Sequence, residues 1–278
     1  MKFISITFIA VLALSACNAP KYVYSPNIVN TPLFTEKNQS KVGLSYVSHG
    51  RESFTENNFI RRGRAAGYDV QAAYAITNKW LLHGSYANRK ENLSSDKNLT
   101  ARYASIDYDR NYFDAGIGYF TDMSNDSTIY FQALAGYGFG KSEFTDFDND
   151  PSAPINRFHS NNVSKYFLQG SFQFKIKNIQ LQIPNRFTVV HFNNIKTNYT
   201  EQEQSQNILL GLDGHSVLLY EPAFNFGFNL NKLPALKFET QLGFSLQLNN
   251  NNQFYRRRTS FMSIGVFADV KKIFEKGR

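Results

Sequence analysis

The stretch from Ser216 to Leu248 alternates between two kinds of side chain, and this period of two constrains the fold more than any other feature. From Tyr220 to Leu230, apolar or aromatic residues and Pro222 alternate with small or polar residues. After a break at 231–234 the pattern resumes and continues to Leu248. Successive side chains of a strand point to opposite faces, so each run predicts a strand with one apolar face. Together the two runs predict a β-hairpin.

The same alternation recurs along the chain and predicts ten strands, whereas no helical period of comparable strength is present. The predicted strands are 41–48, 66–76, 80–87, 102–121, 129–139, 166–176, 179–192, 217–230, 235–248 and 261–270. Short connections (77–79, 122–127, 177–178, 231–234) alternate with long polar ones (49–65, 88–101, 140–164, 193–215, 249–258). The sequence therefore predicts an all-β fold.

The chemistry of the polar faces distinguishes a membrane barrel from a soluble one. In a soluble barrel the apolar face points inward, whereas in an outer-membrane barrel it meets lipid. Here the polar faces are rich in glycine, alanine and serine and carry both signs of charge, such as Asp114 and Arg186. These residues suit a narrow interior in which charges pair across strands. We therefore predict a ten-stranded antiparallel outer-membrane-type β-barrel with short periplasmic turns and long outer loops, in which Phe172, Phe224 and Phe238 face hydrocarbon.

The N-terminus carries a localised export signal. Lys2 is followed by a short apolar run from Phe3 to Leu14, which is typical of a signal peptide. Leu14-Ser15-Ala16-Cys17 resembles the lipobox of bacterial lipoproteins, and that resemblance implies cleavage before Cys17 and lipidation of its thiol. Cys17 is the sole cysteine of the chain, so a disulfide has no partner here. The alternative is an ordinary signal peptide with an incidental cysteine.

These features divide the chain into three parts: a lipoprotein signal peptide (1–16), a lipidated extended tether (17–40) and a β-barrel domain (41–278). Three prolines and little periodicity between residues 18 and 36 predict the extended tether. An even number of strands places both ends of the barrel at the short-turn side. No acidic run follows Cys17, and this favours a lipid in the inner leaflet of the outer membrane.

The formal net charge of +8 raises the question of an anionic partner. The basic residues are scattered, and the clusters Arg61-Arg62-Gly63-Arg64 and Arg256-Arg257-Arg258 fall in predicted loops. This distribution favours solvated loop charge, so no nucleic-acid partner is expected. The expected partners are outer-membrane lipid and, as an open possibility, other envelope proteins.

Two pairs of polar residues are the candidate catalytic groups. Asp107 and Asp109 fall near the start of the fourth predicted strand, and Asp213 and His215 come just before the eighth. These spacings resemble those of the omptin proteases, which are also ten-stranded outer-membrane barrels. The resemblance implies that His215 with Asp213 activates water, held against Asp107 and Asp109. The alternative is four exposed loop residues.

No motif for phosphate, zinc or another cofactor is present, and neither a cofactor nor a metal is expected. The sequence favours a lipid-anchored outer-membrane barrel with a structural, adhesive or partner-binding role. The alternatives are an omptin-like surface hydrolase, a narrow channel and a soluble lipocalin-like carrier. An interior of ten strands with long inward side chains favours a plugged lumen over a wide pore.

Overall fold

A computed structural model describes residues 21–56, 59–95, 103–124, 126–150, 154–230, 232–248 and 255–275. The strands are β1 (Ser40–Ser48), β2 (Glu52–Glu56), β3 (Phe59–Ala75), β4 (Trp80–Ser95), β5 (Ala104–Asp122), β6 (Ile129–Asp148), β7 (Ile155–Ile176), β8 (Ile179–Thr197), β9 (Ser216–Leu230), β10 (Leu233–Phe244), β11 (Leu246–Gln247) and β12 (Ser260–Ala268). Two short helices, α1 (Glu201–Gln206) and α2 (Val270–Glu275), lie in the same ranges.

These strands close into an antiparallel barrel. Neighbours pair in the order β1, β12, β10, β9, β8, β7, β6, β5, β4 and β3, and β1 also pairs with β3, which completes the ring. β2 continues the line of β1 along β3, and β11 continues β10 along β9. The wall built by the described residues therefore has ten strands, as predicted. The predicted all-β fold, a ten-stranded antiparallel β-barrel, is confirmed.

The orientation of the two faces is also as predicted. Phe172 is 46% exposed on the outside of the barrel, whereas the next residue, Gln173, is 1% exposed inside it. Phe224 and Asn225 of β9 show the same contrast, with exposed fractions of 48% and 2%. Apolar side chains therefore face outward around the wall, and amides and charges face the interior.

Towards the long-loop end of the barrel the outward face becomes more polar, and apolar side chains join buried charges on the inward face. In β5 the outward residues change from Phe113 to Asp109 and Asp107, while Tyr108 and Ile106 become the inward ones. We call this part of the wall the outer extension, defined by residues 88–95, 104–111, 141–148 and 155–163. The inward face there is mixed, since Arg110 and Glu91 are buried beside Tyr108. A polar exterior is typical of a barrel wall in water, whereas an apolar exterior is typical of a wall in lipid.

Three of the connections predicted as long loops are mostly strand. β2 and β3 occupy much of 49–65, β4 continues through 88–95, and β6 and β7 include all of 140–164 except residues 149–154. The prediction failed there because it followed outward apolar residues, and most outward residues of the extension are polar, with Phe147 and Phe158 as exceptions. The connection between β8 and β9, which contains α1, is a long loop as predicted.

Candidate functional site

The barrel interior contains part of its own chain. Residues 21–32 are buried without exception, and Phe34 is buried as well. We call residues 21–34 the lumen segment. Sequence analysis predicted an extended tether over residues 17–40. The described residues 21–34 of that stretch run through the lumen, a location that their composition did not indicate.

The lumen segment enters at the long-loop end. Lys21 forms an ion pair with Asp146 near the end of β6, with 2.5 Å between Nζ and Oδ2. The backbone N–H of Val23 donates to the carbonyl of Arg256 at 3.0 Å, and Tyr24 forms an isolated parallel bridge with Arg257. Both partners come just before β12, so the start of the segment lies among the outer connections.

The segment leaves at the short-turn end. Phe34 packs edge-on against Phe120 of β5, with 6.0 Å between ring centroids, in an apolar cluster with Leu81 and Leu134. The chain then turns, and the N–H of Asn38 donates to the carbonyl of Ala75 at 2.8 Å before β1 begins. Sequence analysis placed both ends of the mature barrel at the short-turn side. β1 begins and β12 ends there, as predicted. The residues before β1 run back through the lumen, so Lys21 is at the opposite end.

Side chains of the barrel wall hydrogen-bond the backbone of the lumen segment. Gln241 bonds both the N–H and the carbonyl of Val29, at 2.8 and 3.0 Å. Asp69 accepts from the N–H of Ile28 at 2.9 Å, and Gln169 donates to the carbonyl of Asn30 at 3.0 Å. Buried backbone groups need such partners, and here amide and carboxylate side chains replace a neighbouring strand.

Paired charges fill the space around the segment. Asp114 lies 2.8 Å from Lys165 and 3.5 Å from Arg186, measured between the carboxylate oxygens and the nearest side-chain nitrogens. Glu239 is paired in the same way with Lys41 at 2.8 Å and Lys237 at 2.7 Å. All six side chains are largely inaccessible to solvent, and buried charges are tolerated when they are paired. The lumen is therefore occupied by protein atoms at mid-height as well.

An apolar cluster closes the long-loop end of the lumen. It combines Tyr22 and Tyr24 of the lumen segment with Tyr108 of β5, Phe192 of β8 and Tyr255 before β12. The Tyr22 and Tyr108 rings are 6.0 Å apart, and those of Phe192 and Tyr255 are 5.9 Å apart. The lumen thus has apolar packing at each end and paired charges between.

The candidate catalytic pairs are not brought together. Asp107 and Asp109 face outward from β5, where Asn92 donates to Asp107 at 2.5 Å and Lys90 lies 3.7 Å from Asp109. Asp213 and His215 lie in the connection before β9; Asp213 is exposed. Three barrel strands separate β5 from β9 on the shorter path around the wall. No hydrogen bond or ion pair joins the two pairs in the part of the chain described.

His215 has an aromatic neighbour rather than an acidic one. Its ring packs edge-on against Tyr255, with 5.0 Å between centroids. No cluster of three or more histidine, cysteine or acidic residues suited to a metal ion occurs among the described residues. Cys17 lies outside the described residues.

No helix in the described ranges combines the length and the apolar character needed to cross a membrane. No protein-family model matches the chain, and no curated protein matches its sequence.

Solved structures with a similar chain course include three bacterial proteins. The translocator domain of the autotransporter NalP from Neisseria meningitidis is 12% identical, with a TM-score of 0.49 over 84% of this chain and 88% of that one. The outer membrane protease OmpT from Escherichia coli is 12% identical, with a TM-score of 0.42 over 85% and 96%. An outer membrane channel from Pseudomonas putida F1 is 11% identical, with a TM-score of 0.38 over 86% and 99%. At these identities and scores, no role is carried over from any of them.

Proposed function

We propose that this protein is a lipid-anchored outer-membrane barrel with a closed lumen and a structural or partner-binding role. The observation that carries this proposal is the belt of exposed apolar side chains around a polar, paired interior. Water-soluble proteins rarely expose a continuous apolar surface of this kind. In lipid, exposed apolar side chains no longer carry the free-energy cost of contact with water. Lipid offers no hydrogen-bond partners, so every backbone N–H and C=O must pair within the protein, and a closed barrel wall provides this pairing.

The height of the belt fits a bilayer. In β6 it runs from Ile129 to Phe139, and in β7 from Tyr166 to Ile176. With a rise of about 3.4 Å per residue and a tilt of about 40°, such a stretch spans roughly 26 Å. That is close to the apolar band of about 25 Å in outer-membrane barrels. Trp80 and Tyr119, stacked edge-on at 5.7 Å, lie at its short-turn border, where interfacial aromatics are expected.

A closed lumen argues against a channel. An open pore requires a water-filled path, and here the lumen segment, the buried ion pairs and an apolar cluster at each end occupy the interior. Hydrolysis by the omptin arrangement is also disfavoured, because Asp107 and Asp109 face outward from β5, and three strands separate β5 from the connection that carries His215. The polar outer extension remains as the surface available to other envelope proteins.

The course of the lumen segment bears on the lipid anchor. If the short turns are periplasmic, as is usual, Lys21 lies at the cell-surface end of the barrel. Lys21 is four positions after Cys17, and four residue steps reach at most about 14 Å. We therefore assign the lipid on Cys17 to the leaflet at the long-loop rim, in place of the inner leaflet that sequence analysis favoured.

Removing the lipid separates the two parts of the proposal. A Cys17→Ser variant should still partition with membranes after a urea wash and still migrate differently on a gel with and without heating, because the belt alone holds the barrel in the bilayer. Metabolic labelling with a radioactive fatty acid should mark the wild-type protein and leave the variant unlabelled. A water-soluble Cys17→Ser protein would refute the membrane barrel, and an unlabelled wild type would refute the anchor.

A further inference from the structure

At the long-loop end of the barrel, β12 begins lower on the wall than the neighbouring strand line of β1 and β2 extends. β1 and β12 pair as far as Ser48 and Met262, and β12 begins two residues before that contact, at Ser260. The strand line of β1 continues higher through residues 49–51 into β2, which pairs with β3. This height difference leaves a groove of about 960 Å³ on the outside of the wall.

The floor of the groove is apolar and continuous with the belt. Tyr46 of β1, Leu242 of β10 and Met262 and Ile264 of β12 line it. Their exposed fractions lie between 46% and 61%, so each presents a large part of its side chain to the surroundings. A hydrocarbon chain in the groove would cover surface of the same kind as the rest of the belt.

The upper wall of the groove is cationic. Arg51, Arg62 and Arg64 line it, and all three side chains are exposed. Arg62 and Arg64 are two positions apart on β3 and so face the same side. Arg64 donates from Nε to Ser48 Oγ at 2.5 Å, which holds it over the groove. Arg51 and Arg62 form no ion pair with any described residue, and no carboxylate is among the described residues that line the groove.

We propose that this groove binds the headgroup and one acyl chain of a phosphorylated lipid in the leaflet at the long-loop rim. The inference rests on the proposed membrane location. Guanidinium groups bind phosphate oxygens in a bidentate manner and are the side chains best suited to do so. A lipid phosphate at this level meets the three arginines, while its acyl chain lies along Leu242, Met262 and Ile264. A free phosphate would use only the cationic half of the site.

The test compares lipids that differ only in the headgroup. The full-length protein in detergent micelles is titrated with phosphatidic acid or with phosphatidylcholine of the same acyl chains, and bound lipid is counted by native mass spectrometry. We expect phosphatidic acid to bind at least tenfold more tightly, and this preference to weaken at high salt. The triple variant Arg51→Gln, Arg62→Gln, Arg64→Gln should lose it.

A matched variant removes the same charge elsewhere on the outer end. Lys90→Gln, Lys141→Gln, Lys196→Gln changes three exposed cations that do not line the groove, and it should keep the preference. Equal losses in both triple variants, or no preference in the wild type, would overturn the lipid site. Inorganic phosphate that competes fully with the lipid, together with no effect of Met262→Asn, would overturn it in favour of a soluble anion site.

Insertion into vesicles is measured on every variant by its heat-modifiable migration. Wild-type protein that inserts but shows no headgroup preference refutes only the lipid site. Wild-type protein that fails to insert refutes the proposed function itself.

Discussion

The side chain of Gln241 on β10 hydrogen-bonds both backbone groups of Val29, as a neighbouring strand would, although Val29 itself lies outside any strand. The side-chain amide of Gln241 accepts from the N–H of Val29 at 2.8 Å and donates to its carbonyl at 3.0 Å. An amide side chain carries one acceptor and two donors, so it can match both backbone groups of one residue. This contact fixes the lumen segment to β10 at mid-height.

Replacing Gln241 with leucine removes both hydrogen bonds and leaves the two backbone groups of Val29 buried without them. We expect the free energy of unfolding to fall by about 1–3 kcal/mol. Urea titration in detergent, followed by the fluorescence of Trp80, measures the change. The control Gln206→Leu alters an exposed glutamine on α1 and should change stability by less than about 0.5 kcal/mol. Equal effects of the two substitutions would contradict the role given to Gln241.

Neutralising Asp114 should be more costly. Asp114→Asn leaves Lys165 and Arg186 buried without their carboxylate, and breaking a buried pair by removing one partner costs about 3–5 kcal/mol. The exposed pair of Lys141 and Glu143 provides the comparison, since Glu143→Gln should cost less than about 1 kcal/mol. The same urea titration measures both. An Asp114→Asn protein as stable as Glu143→Gln would show that the lumen charges do not depend on one another.

The cap of α1 should respond to acid. Partial burial of Glu203 by itself would raise its pKa, but hydrogen bonds from Arg157 and Thr200 outweigh burial and lower the pKa from its ordinary value of 4.5. A lowered carboxyl pKa stabilises the folded state above the unfolded value, and this contribution disappears as the pH falls through the folded value. Amide hydrogen exchange in residues 201–206, corrected for intrinsic rates, should therefore speed up below about pH 4.5.

Glu203→Gln serves as the control for that experiment, because glutamine keeps an acceptor for the Thr200 cap and has no charge to titrate. Its corrected exchange rates in α1 should not change over the same pH range. A wild-type protein with equally constant rates would contradict the role of the carboxylate.

Peptide hydrolysis should not depend on His215. Its ring packs on Tyr255, and the pair Asp107 and Asp109 faces outward beyond three intervening strands. We expect the purified protein and its His215→Ala variant to give the same background rate on a library of internally quenched peptides. Cleavage at least tenfold faster in the wild type would instead restore the omptin-like mechanism.

The period of two was sufficient to predict the barrel because each strand in the belt meets two different environments. Phe172 meets the outside and Gln173 the lumen, and the sequence records that difference at every step. The same reasoning missed the outer extension, where the outward face is more polar and apolar residues such as Tyr108 and Phe144 turn inward. The period of two persists there, but both faces are chemically mixed, since Arg110 and Glu91 are also buried.

The position of the lumen segment is harder to predict from the sequence. The wall binds much of it through its backbone, so the bonded groups of Ile28 and Val29 are the same for any residue and create no pattern. The available signal was in the wall itself, where the inward faces carry an excess of amides, among them Gln132, Gln169, Gln173, Gln182 and Gln241. So many buried amides require partners beyond one another.

The groove lined by Arg62 and Arg64 could not be predicted from sequence spacing alone. These arginines fall in a segment predicted as a loop, and only the register of β3 with β1 and β2 brings them above the start of β12. Loop arginines are ordinarily solvated, and it is the adjoining apolar floor that distinguishes these.

Depth-resolved quenching tests the central claim, the outward orientation of the apolar face in lipid, most directly. Phe172→Cys and Gln173→Cys are each made in the Cys17→Ser background, labelled with a small fluorophore and reconstituted in vesicles with brominated acyl chains. We predict strong quenching at position 172 and little at position 173. Strong quenching at 173 with none at 172, or none at either position, would contradict the barrel placed here in the membrane.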